Sequence, residues 1–331
     1  MRYYDIDKLS NNIINMLKEK EKKDYARGKT EREAHPKCVG LLKAYFLVDK
    51  NLPHKYKVGL FKDNKIYPAL IRFSNSNPKI KSDKFRDIRG MSIKLIDVKG
   101  EKGMEDEKHT QDFVLISMKT IPLGTLEKFH DLIYHITKSN PLVFAINFIR
   151  EKNIYIIPEM IKNMKHDTSH LDIRYFSTTP YMFGDEIVKY CVVPRKSYTS
   201  TLPKKLTNDY LTVNMQKHLL RSEAVFDFMV QFYVNEEETP INDASIPWNR
   251  EKSPFIKVGE IRIPKQEFTT KERFDLGEKL SFSPGHAMKS HRPVGDLNLG
   301  RMKIYKEMSK SRHFRNKESL FEPSKDDFLK M

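Results

Sequence analysis

Cysteine is scarce in this chain, which has only Cys38 and Cys191 among its 331 residues. Two thiols so far apart in sequence form neither a disulfide framework nor a zinc cluster of known spacing. Long apolar runs are also lacking, because charged residues interrupt the most hydrophobic region, 141–157. The amino terminus is polar and has no apolar stretch of the signal-peptide type. These absences predict a cytoplasmic protein without a membrane span.

Positive charge is in excess, because the chain has 60 Lys and Arg residues but 44 Asp and Glu residues, which gives a net charge of +16. The basic residues are spread along the whole chain, and no segment resembles a helix-turn-helix, a zinc finger or a single-strand-binding motif. We therefore expect a solvated basic surface that attracts polyanions at low salt, and no specific nucleic-acid partner. The remaining composition is that of a folded globular protein.

Short strand-like runs rich in β-branched and aromatic residues occur in both halves of the chain. They cover residues 39–48, 69–74, 91–98, 113–117, 187–193, 226–234 and 255–263. Apolar residues at helical spacing predict helices near 9–22, 126–136, 210–222 with Asn208 as a cap, and 297–312 as the last ordered element. This order predicts an α+β fold with a largely antiparallel sheet, but it does not distinguish a barrel from a sandwich.

The carboxy-terminal segment 300–316 reads GRMKIYKEMSKSRHFRN. In a helix, Arg301, Tyr305 and Arg312 lie within about 40° of one another on one face. A neighbouring guanidinium favours the phenolate form of a tyrosine, and a phenolate is a suitable ligand for ferric iron. Arg312 could then reach a haem propionate. The alternative is a basic surface helix with a half-buried tyrosine.

A second cluster near the amino terminus contains Arg32, His35 and Cys38 just before a predicted strand. A histidine ring in a cavity can take a proton from one peroxide oxygen and return it to the other. The alternative is a structural histidine satisfied by backbone partners. Cys38 is either a small buried hydrophobe or a redox-active thiol. A third cluster, ALIRFSNSN, adds Arg72 and Ser74.

Taken in order, these segments resemble the haem-containing catalase family, most closely its small catalase-like members. The matching stretches are Arg32 through Phe46, then IRFSN, DIRGMSIKL, VKYCV, SPFIKVGEIRIP, LSFSPGHAMKSHRP and GRMKIYKEMSKSRHFRN, which together span roughly residues 27 to 316. The resemblance implies an antiparallel β-barrel core with surrounding helices and a carboxy-terminal helix that carries the proximal haem ligand. It implies a single haem domain with an arm over 1–26, a core over 27–316 and a tail over 317–331.

The resemblance also implies a role for each matching residue. Tyr305 corresponds to the proximal ligand of the ferric iron of haem b, a mode of ligation used by catalases. Arg301 corresponds to the arginine that hydrogen-bonds this phenolate, His35 to the distal catalytic histidine and Ser74 to the serine that orients it. The arginines that pair with the haem propionates correspond to Arg32, Arg72 and Arg312.

One departure from the family concerns the distal asparagine of its G-N-N-T-P stretch. The equivalent stretch here is EKHTQDFVLI, and alignment on the apolar run places His109 or Thr110 at that position. Because the missing amide helps to hold peroxide, this departure leaves the type of turnover open. We also expect no additional carboxy-terminal domain of the kind found in many catalases.

The implied function is an oxidoreductase that decomposes or reduces hydrogen peroxide or organic hydroperoxides, as part of a response to oxidative stress. Three alternatives remain open: an enzyme that rearranges fatty-acid hydroperoxides in the manner of allene oxide synthase, a haem-binding protein with little turnover, and a basic nucleic-acid binder. The expected partner is a small hydroperoxide. The amino-terminal arm could exchange between subunits of a homo-oligomer, as it does in the family.

Overall fold

Nine strands, all paired antiparallel, form the centre of the protein in a computed structural model that describes residues 3–138, 156–196 and 198–331. Their bounds are β1 (Cys38–Val48), β2 (Ile66–Asn75), β3 (Arg89–Ile96), β4 (Thr110–Ile116), β5 (Tyr175–Phe176), β6 (Tyr181–Phe183), β7 (Glu186–Pro194), β8 (Ala224–Phe232) and β9 (Ile256–Ile263). The longer strands coincide with the runs of alternating and β-branched residues in the sequence.

The sheet closes into a barrel because the short strand β5 pairs with two neighbours. The strands follow the order β5-β4-β3-β2-β1-β9-β8-β7, and β5 then pairs with β7 through Phe176 and Cys191. Strand β6 pairs with the other edge of β7. Closure leaves no long unpaired edge in the eight-stranded ring. The predicted α+β fold with an antiparallel barrel core is confirmed.

Aromatic side chains fill the barrel interior, since alternate residues of each strand point inward. The Phe113 ring lies 4.8 Å from the Phe228 ring and 5.0 Å from the Tyr190 ring, measured between centroids. Phe46 contacts the Phe228 ring from another side at 5.0 Å. All four rings are buried, so the part of the barrel in which they lie is a packed core rather than a channel.

Seven helices surround the barrel in the described part of the chain. They are α1 (Tyr3–Asp24), α2 (Leu126–Lys138), α3 (Ile156–Asn163), α4 (Tyr210–Arg221), α5 (Lys271–Lys279), α6 (Asp296–Arg315) and α7 (Lys325–Lys330). Helices α1, α2 and α6 pack together through a second apolar cluster outside the barrel, which includes Ile13, Leu126 and Ile304. The amino-terminal arm is therefore a helix held against the helix that carries Tyr305.

The structure corrects two expectations about helix ends. Asp209, not Asn208, occupies the cap position of α4, and it makes no side-chain capping bond. The helix over 297–312 is not the last ordered element, because α7 follows it. Helix α7 is short, but Ser324 and Asp327 form a capping box and the buried Phe328 packs on Tyr45 at 5.6 Å. These contacts stabilise α7, because a helix of six residues is not stable on its own.

The apolar region 141–157 lies almost wholly outside the described residues. Among the helices that the structure does describe, none combines the length and the apolar character needed to cross a bilayer.

We expect Phe113→Ala to lower the free energy of unfolding by about 3–5 kcal/mol, because it opens a cavity among rings that cannot fully collapse. Phe314→Ala is the matched control, since the Phe314 side chain is exposed. Denaturant titration of both variants measures the difference. Equal stability of the two variants would contradict the barrel core described above.

Candidate active site

His35 lies just before β1 in a backbone conformation that few side chains adopt. Its φ is 58°, in the left-handed region, where histidine is among the better tolerated residues. The side chain is half-buried, and its Nδ1 lies 3.0 Å from the Ser74 hydroxyl oxygen. Gly90 pairs with Ser74 across β2 and β3, and a Cβ there would come within 2.6 Å of both groups. The unusual backbone conformation of His35 directs its ring to this position, and the lack of a side chain at Gly90 leaves room for the ring there.

The surroundings of His35 favour its neutral form. Burial, and next the positive charge of Arg72, lower the pKa of His35 to about 4. The Ser74 contact occupies Nδ1, and no described residue hydrogen-bonds Nε2. A neutral imidazole with one free nitrogen is able to accept a proton at neutral pH.

Tyr305 lies on the inner face of α6 beside a buried arginine one turn earlier. The Arg301 guanidinium carbon is 5.5 Å from the centre of the Tyr305 ring, and one of its nitrogens donates to Thr179 Oγ1 at 2.7 Å. Although burial disfavours the charge, the nearby phenols of Tyr305 and Tyr181 raise the pKa of Arg301. Because an arginine does not lose its proton in proteins, Tyr305 lies beside a fixed cation.

Three further arginines converge on a carboxylate that the sequence did not single out, Glu278 of α5. Arg72 donates to Glu278 Oε1 at 2.8 Å, and Arg32 Nε lies 3.6 Å from Glu278 Oε2. Arg312 donates to the backbone carbonyl of Glu278 at 2.6 Å, and Arg32 donates to the carbonyl of Gly277 at 2.9 Å. The end of α5 therefore anchors guanidinium groups from three distant parts of the chain.

The positive charge of this group exceeds what Glu278 neutralises. Burial, then the charges of Arg72 and Arg312, lower the pKa of Arg32, so its charged form is destabilised. Because an arginine stays protonated in proteins, a nearby anion would stabilise this group. The Nε atoms of Arg32 and Arg72 are buried without a hydrogen-bond partner, and the described residues supply these arginines with no ion pair other than Glu278.

A single cavity of about 360 Å³ connects these groups. Its lining includes His35 and Tyr305, and also Arg301 and the three arginines around Glu278. Ser74 stands behind the His35 ring and is not part of the lining. Most of the remaining wall is apolar, with Val114 and Ile116 from β4, Ile121 from the following loop, and Phe129 and Ile133 from α2. The cavity is within the size range of cofactor sites.

The structure does not bring His109 and Thr110 to this cavity. His109 is exposed, and its backbone nitrogen donates to Glu322. Thr110 is buried at the start of β4, where its hydroxyl donates to Glu107. The register of β3 and β4 pairs Thr110 with Ile96 but Ile116 with Gly90, so the opposite end of β4 faces His35. The β4 residues that line the cavity are Val114, Leu115 and Ile116.

Thr110 instead borders a buried polar cluster that could be mistaken for a metal site. Ligand atoms of Glu107, Asp112 and His286 lie within 4.8 Å of one another. The Lys94 ammonium already lies among them, 2.8 Å from Asp112 Oδ1 and hydrogen-bonded to Glu107. Burial and the positive charge of Lys94 oppose protonation of His286, but hydrogen bonds to Asp106 and Asp112 outweigh them and raise the pKa of His286 to about 9. Two protein cations thus occupy the place that a metal would take.

Cys38 lies outside the cavity lining. Burial raises the pKa of the Cys38 thiol despite the nearby Arg72. A raised pKa disfavours the reactive thiolate, which supports the interpretation of Cys38 as a small buried hydrophobe.

Comparison with known proteins identifies the fold. No family model matches the chain, and no curated protein matches it by sequence. Among solved structures, a fungal catalase superposes with a TM-score of 0.70 at 18% identity over 92% of this chain and 63% of its own. A bacterial catalase superposes with a TM-score of 0.68 at 17% identity, over 92% of this chain and 62% of its own. Catalase A from Saccharomyces cerevisiae superposes with a TM-score of 0.68 at 15% identity, over 89% of this chain and 64% of its own.

These similarities establish a catalase-like fold and, at such low identity, the fold alone. The chain spans less than two thirds of the length of each of these catalases.

We expect Glu278→Gln to destabilise the protein by about 3–5 kcal/mol at neutral pH, because it leaves the guanidinium groups of Arg32 and Arg72 without their carboxylate. Burial opposes the charge of Glu278, but Arg72 and Arg32 lower its pKa below the usual 4.5. The stabilisation is therefore fully present above pH 4.5 and is lost as the pH falls through the folded-state pKa.

Denaturant titrations of wild type and variant across this pH range test the prediction. Glu272→Gln, on the exposed side of the same helix, is the control. A loss no larger than that of the control, or one independent of pH, would refute the role of Glu278.

Proposed function

We propose that the cavity binds haem, with Tyr305 as the iron ligand and His35 as the acid–base group for a hydroperoxide. The observation that carries the proposal is that one cavity contains a tyrosine beside a buried arginine, a neutral histidine with a free nitrogen, and three arginines that share one carboxylate. The likeness to catalases supports the proposal at the level of the fold.

The arginines around Glu278 fit the two carboxylates of a haem. Arg32 and Arg72 each have a buried Nε without a hydrogen-bond partner, and among the described residues Arg312 donates to backbone carbonyls alone. Propionates would supply the missing negative charge to these guanidinium groups, which bind carboxylates well because of their planar donor geometry. The apolar walls of the cavity suit the faces of a porphyrin.

Tyr305 and Arg301 would determine the charge at the iron. Arg301 cannot lose its proton, so a fixed positive charge stays beside Tyr305. Bound ferric haem supplies the redox chemistry needed to cleave a peroxide O–O bond. Helix α6 fixes the position of both side chains through Ile304, which is buried against α1 and α2.

His35 would move the proton of the substrate. The lowered pKa of His35 keeps the ring neutral at neutral pH. With the ring proton on Nδ1, Nε2 would accept a proton from one peroxide oxygen and return it to the other. Ser74 holds Nδ1 and so fixes the ring orientation. The substrate is accordingly hydrogen peroxide or an organic hydroperoxide, and the protein acts as a catalase-like or peroxidase-like oxidoreductase.

The wall of the cavity favours a second candidate, the conversion of fatty-acid hydroperoxides. The β4 side of the cavity presents Val114 and Ile116 instead of an amide, and Ile121, Phe129 and Ile133 continue this apolar surface. Such a wall accommodates an acyl chain by burial of apolar area. Release of oxygen from hydrogen peroxide supports catalase turnover, whereas loss of the diene absorbance of a lipid hydroperoxide without oxygen release supports the second candidate.

We expect Tyr305→Phe to bind hemin weakly or with an altered visible spectrum, because the ligand oxygen is absent. Absorbance titration of the purified protein with hemin measures this. Tyr45→Phe, a half-exposed tyrosine on β1, is the matched control and should bind as wild type does. Wild-type affinity and spectrum in Tyr305→Phe would rule out Tyr305 as the ligand.

We expect His35→Ala to retain haem but to lose peroxide turnover by about 10² or more, the usual contribution of a general acid–base group. Initial rates with hydrogen peroxide and with an organic hydroperoxide, normalised to haem content, provide the measurement. The exposed His54 gives the control variant His54→Ala. Undiminished turnover in His35→Ala would exclude this residue as the base.

A further inference from the structure

The loop between β2 and β3 exposes two large apolar side chains among cations. Ile80 is 59% exposed and Phe85 is 58% exposed. The exposed charged residues of the segment 78–86 are all basic, namely Lys79, Lys81, Lys84 and Arg86. Its one carboxylate, Asp83, is buried. Apolar and basic side chains therefore share one solvent-facing surface without acidic neighbours from the same loop.

Buried hydrogen bonds fix this loop in place. Asp83 accepts from Asn75 Nδ2 at 2.8 Å and from the backbone nitrogen of Leu211 at 3.1 Å, and it pairs with Lys37 at 2.8 Å. Asp87 accepts from the Ser76 hydroxyl at 2.6 Å. The exposure of Ile80 and Phe85 is thus imposed by the fold.

Two segments that contact this loop also expose apolar or basic side chains. Asp87 forms a backbone bridge with Lys165, which follows the end of α3, and α3 exposes Ile157 and Ile161. The Ser82 hydroxyl donates to Asn208 Oδ1 at 2.9 Å. The loop that ends at Asn208 exposes Leu202, Lys204 and Lys205. We call residues 78–86, 157–165 and 202–205 together the basic apolar face. Its exposed acid is Glu159 of α3.

We propose that the basic apolar face docks onto the surface of an anionic lipid bilayer. Interfacial membrane binding requires apolar side chains that enter the headgroup boundary and flanking Lys or Arg that attract anionic lipids. This face has both. A second copy of the chain is a poor occupant, because a symmetric contact would oppose two basic surfaces. A polyanion such as nucleic acid would use the cations but would leave the aliphatic side chains unsatisfied.

The position of the face in the fold gives the docking a functional consequence. The loop leaves β2 just after Ser74 and enters β3 just before Gly90, the two residues that position His35. The basic apolar face therefore lies at the barrel end that carries the candidate base. Docking does not depend on haem, so its test is independent of the proposed function.

Co-sedimentation of the full chain with vesicles tests the proposal. We expect binding to vesicles that contain phosphatidylglycerol, weaker binding to pure phosphatidylcholine, and weakening by salt. The triple variant Lys79→Gln, Lys81→Gln, Lys84→Gln should lose about tenfold or more in affinity for the anionic vesicles. The double variant Ile80→Ser, Phe85→Ser should also lose affinity, because the charges alone do not supply the apolar insertion.

Matched controls carry the same changes elsewhere. Lys50→Gln, Lys62→Gln, Lys252→Gln removes equal charge from other exposed sites, and Phe314→Ser, Leu329→Ser removes side chains that are 84% and 63% exposed. Both controls should bind nearly as wild type does. The proposal is overturned if wild type ignores anionic vesicles, if the controls lose as much as the face variants, or if the face variants change only self-association or heparin binding.

Discussion

The site depends first on the convergence of Arg32, Arg72 and Arg312 on the end of α5. These side chains come from the segment before β1, from β2 and from α6, and they share the carboxylate of Glu278 and the last carbonyls of the helix. Helix carbonyl ends carry partial negative charge, which favours cations there. Without this arrangement, three guanidinium groups could not be buried together, and the barrel would not be tied to the helix that carries Tyr305.

Positive charge lies beside both key side chains. Arg301 lies beside the Tyr305 ring, and Arg72 near His35 disfavours the cationic form of its imidazole. The positively charged surroundings thus place a cation beside the proposed iron ligand and favour the neutral form of the proposed base. Burial assists the second effect because it penalises the imidazolium. The electrostatics of the cavity are therefore consistent with both proposed roles without any additional charged group.

The strands and long helices were predictable, because residue periodicity encodes them locally. Tyr305 and Arg301 could be paired from helical spacing alone, and His35 and Ser74 came from the resemblance. Glu278 could not be found in this way, since one acidic residue among 44 has no local signature and α5 is short and contains Gly277. Thr270, which caps α5, was the available signal for that helix.

The misplacement of His109 and Thr110 has a different physical origin. Strand β4 rises about 3.4 Å per residue, so its two ends are about 20 Å apart. The sequence of β4, TQDFVLI, does not show which end of the strand faces His35, because that depends on its antiparallel pairing with β3. Such pairing depends on residues far apart in sequence, so the local pattern could not show which residue takes the place of the distal asparagine of catalases.

Two independent features of the structure bear on the proposed hydroperoxide substrate. Hydrogen peroxide is held by hydrogen-bond donors, and the wall that β4 gives the cavity consists instead of Val114, Leu115 and Ile116. The basic apolar face, at the barrel end that carries His35, is suited to a lipid surface, where hydroperoxides carry acyl chains. An aliphatic wall reduces the binding of a small polar substrate and increases that of a long apolar one. If the basic apolar face docks as proposed, it brings the protein to a surface where hydroperoxides carry acyl chains. The aliphatic wall of the cavity favours the same substrates, because it buries their apolar chains.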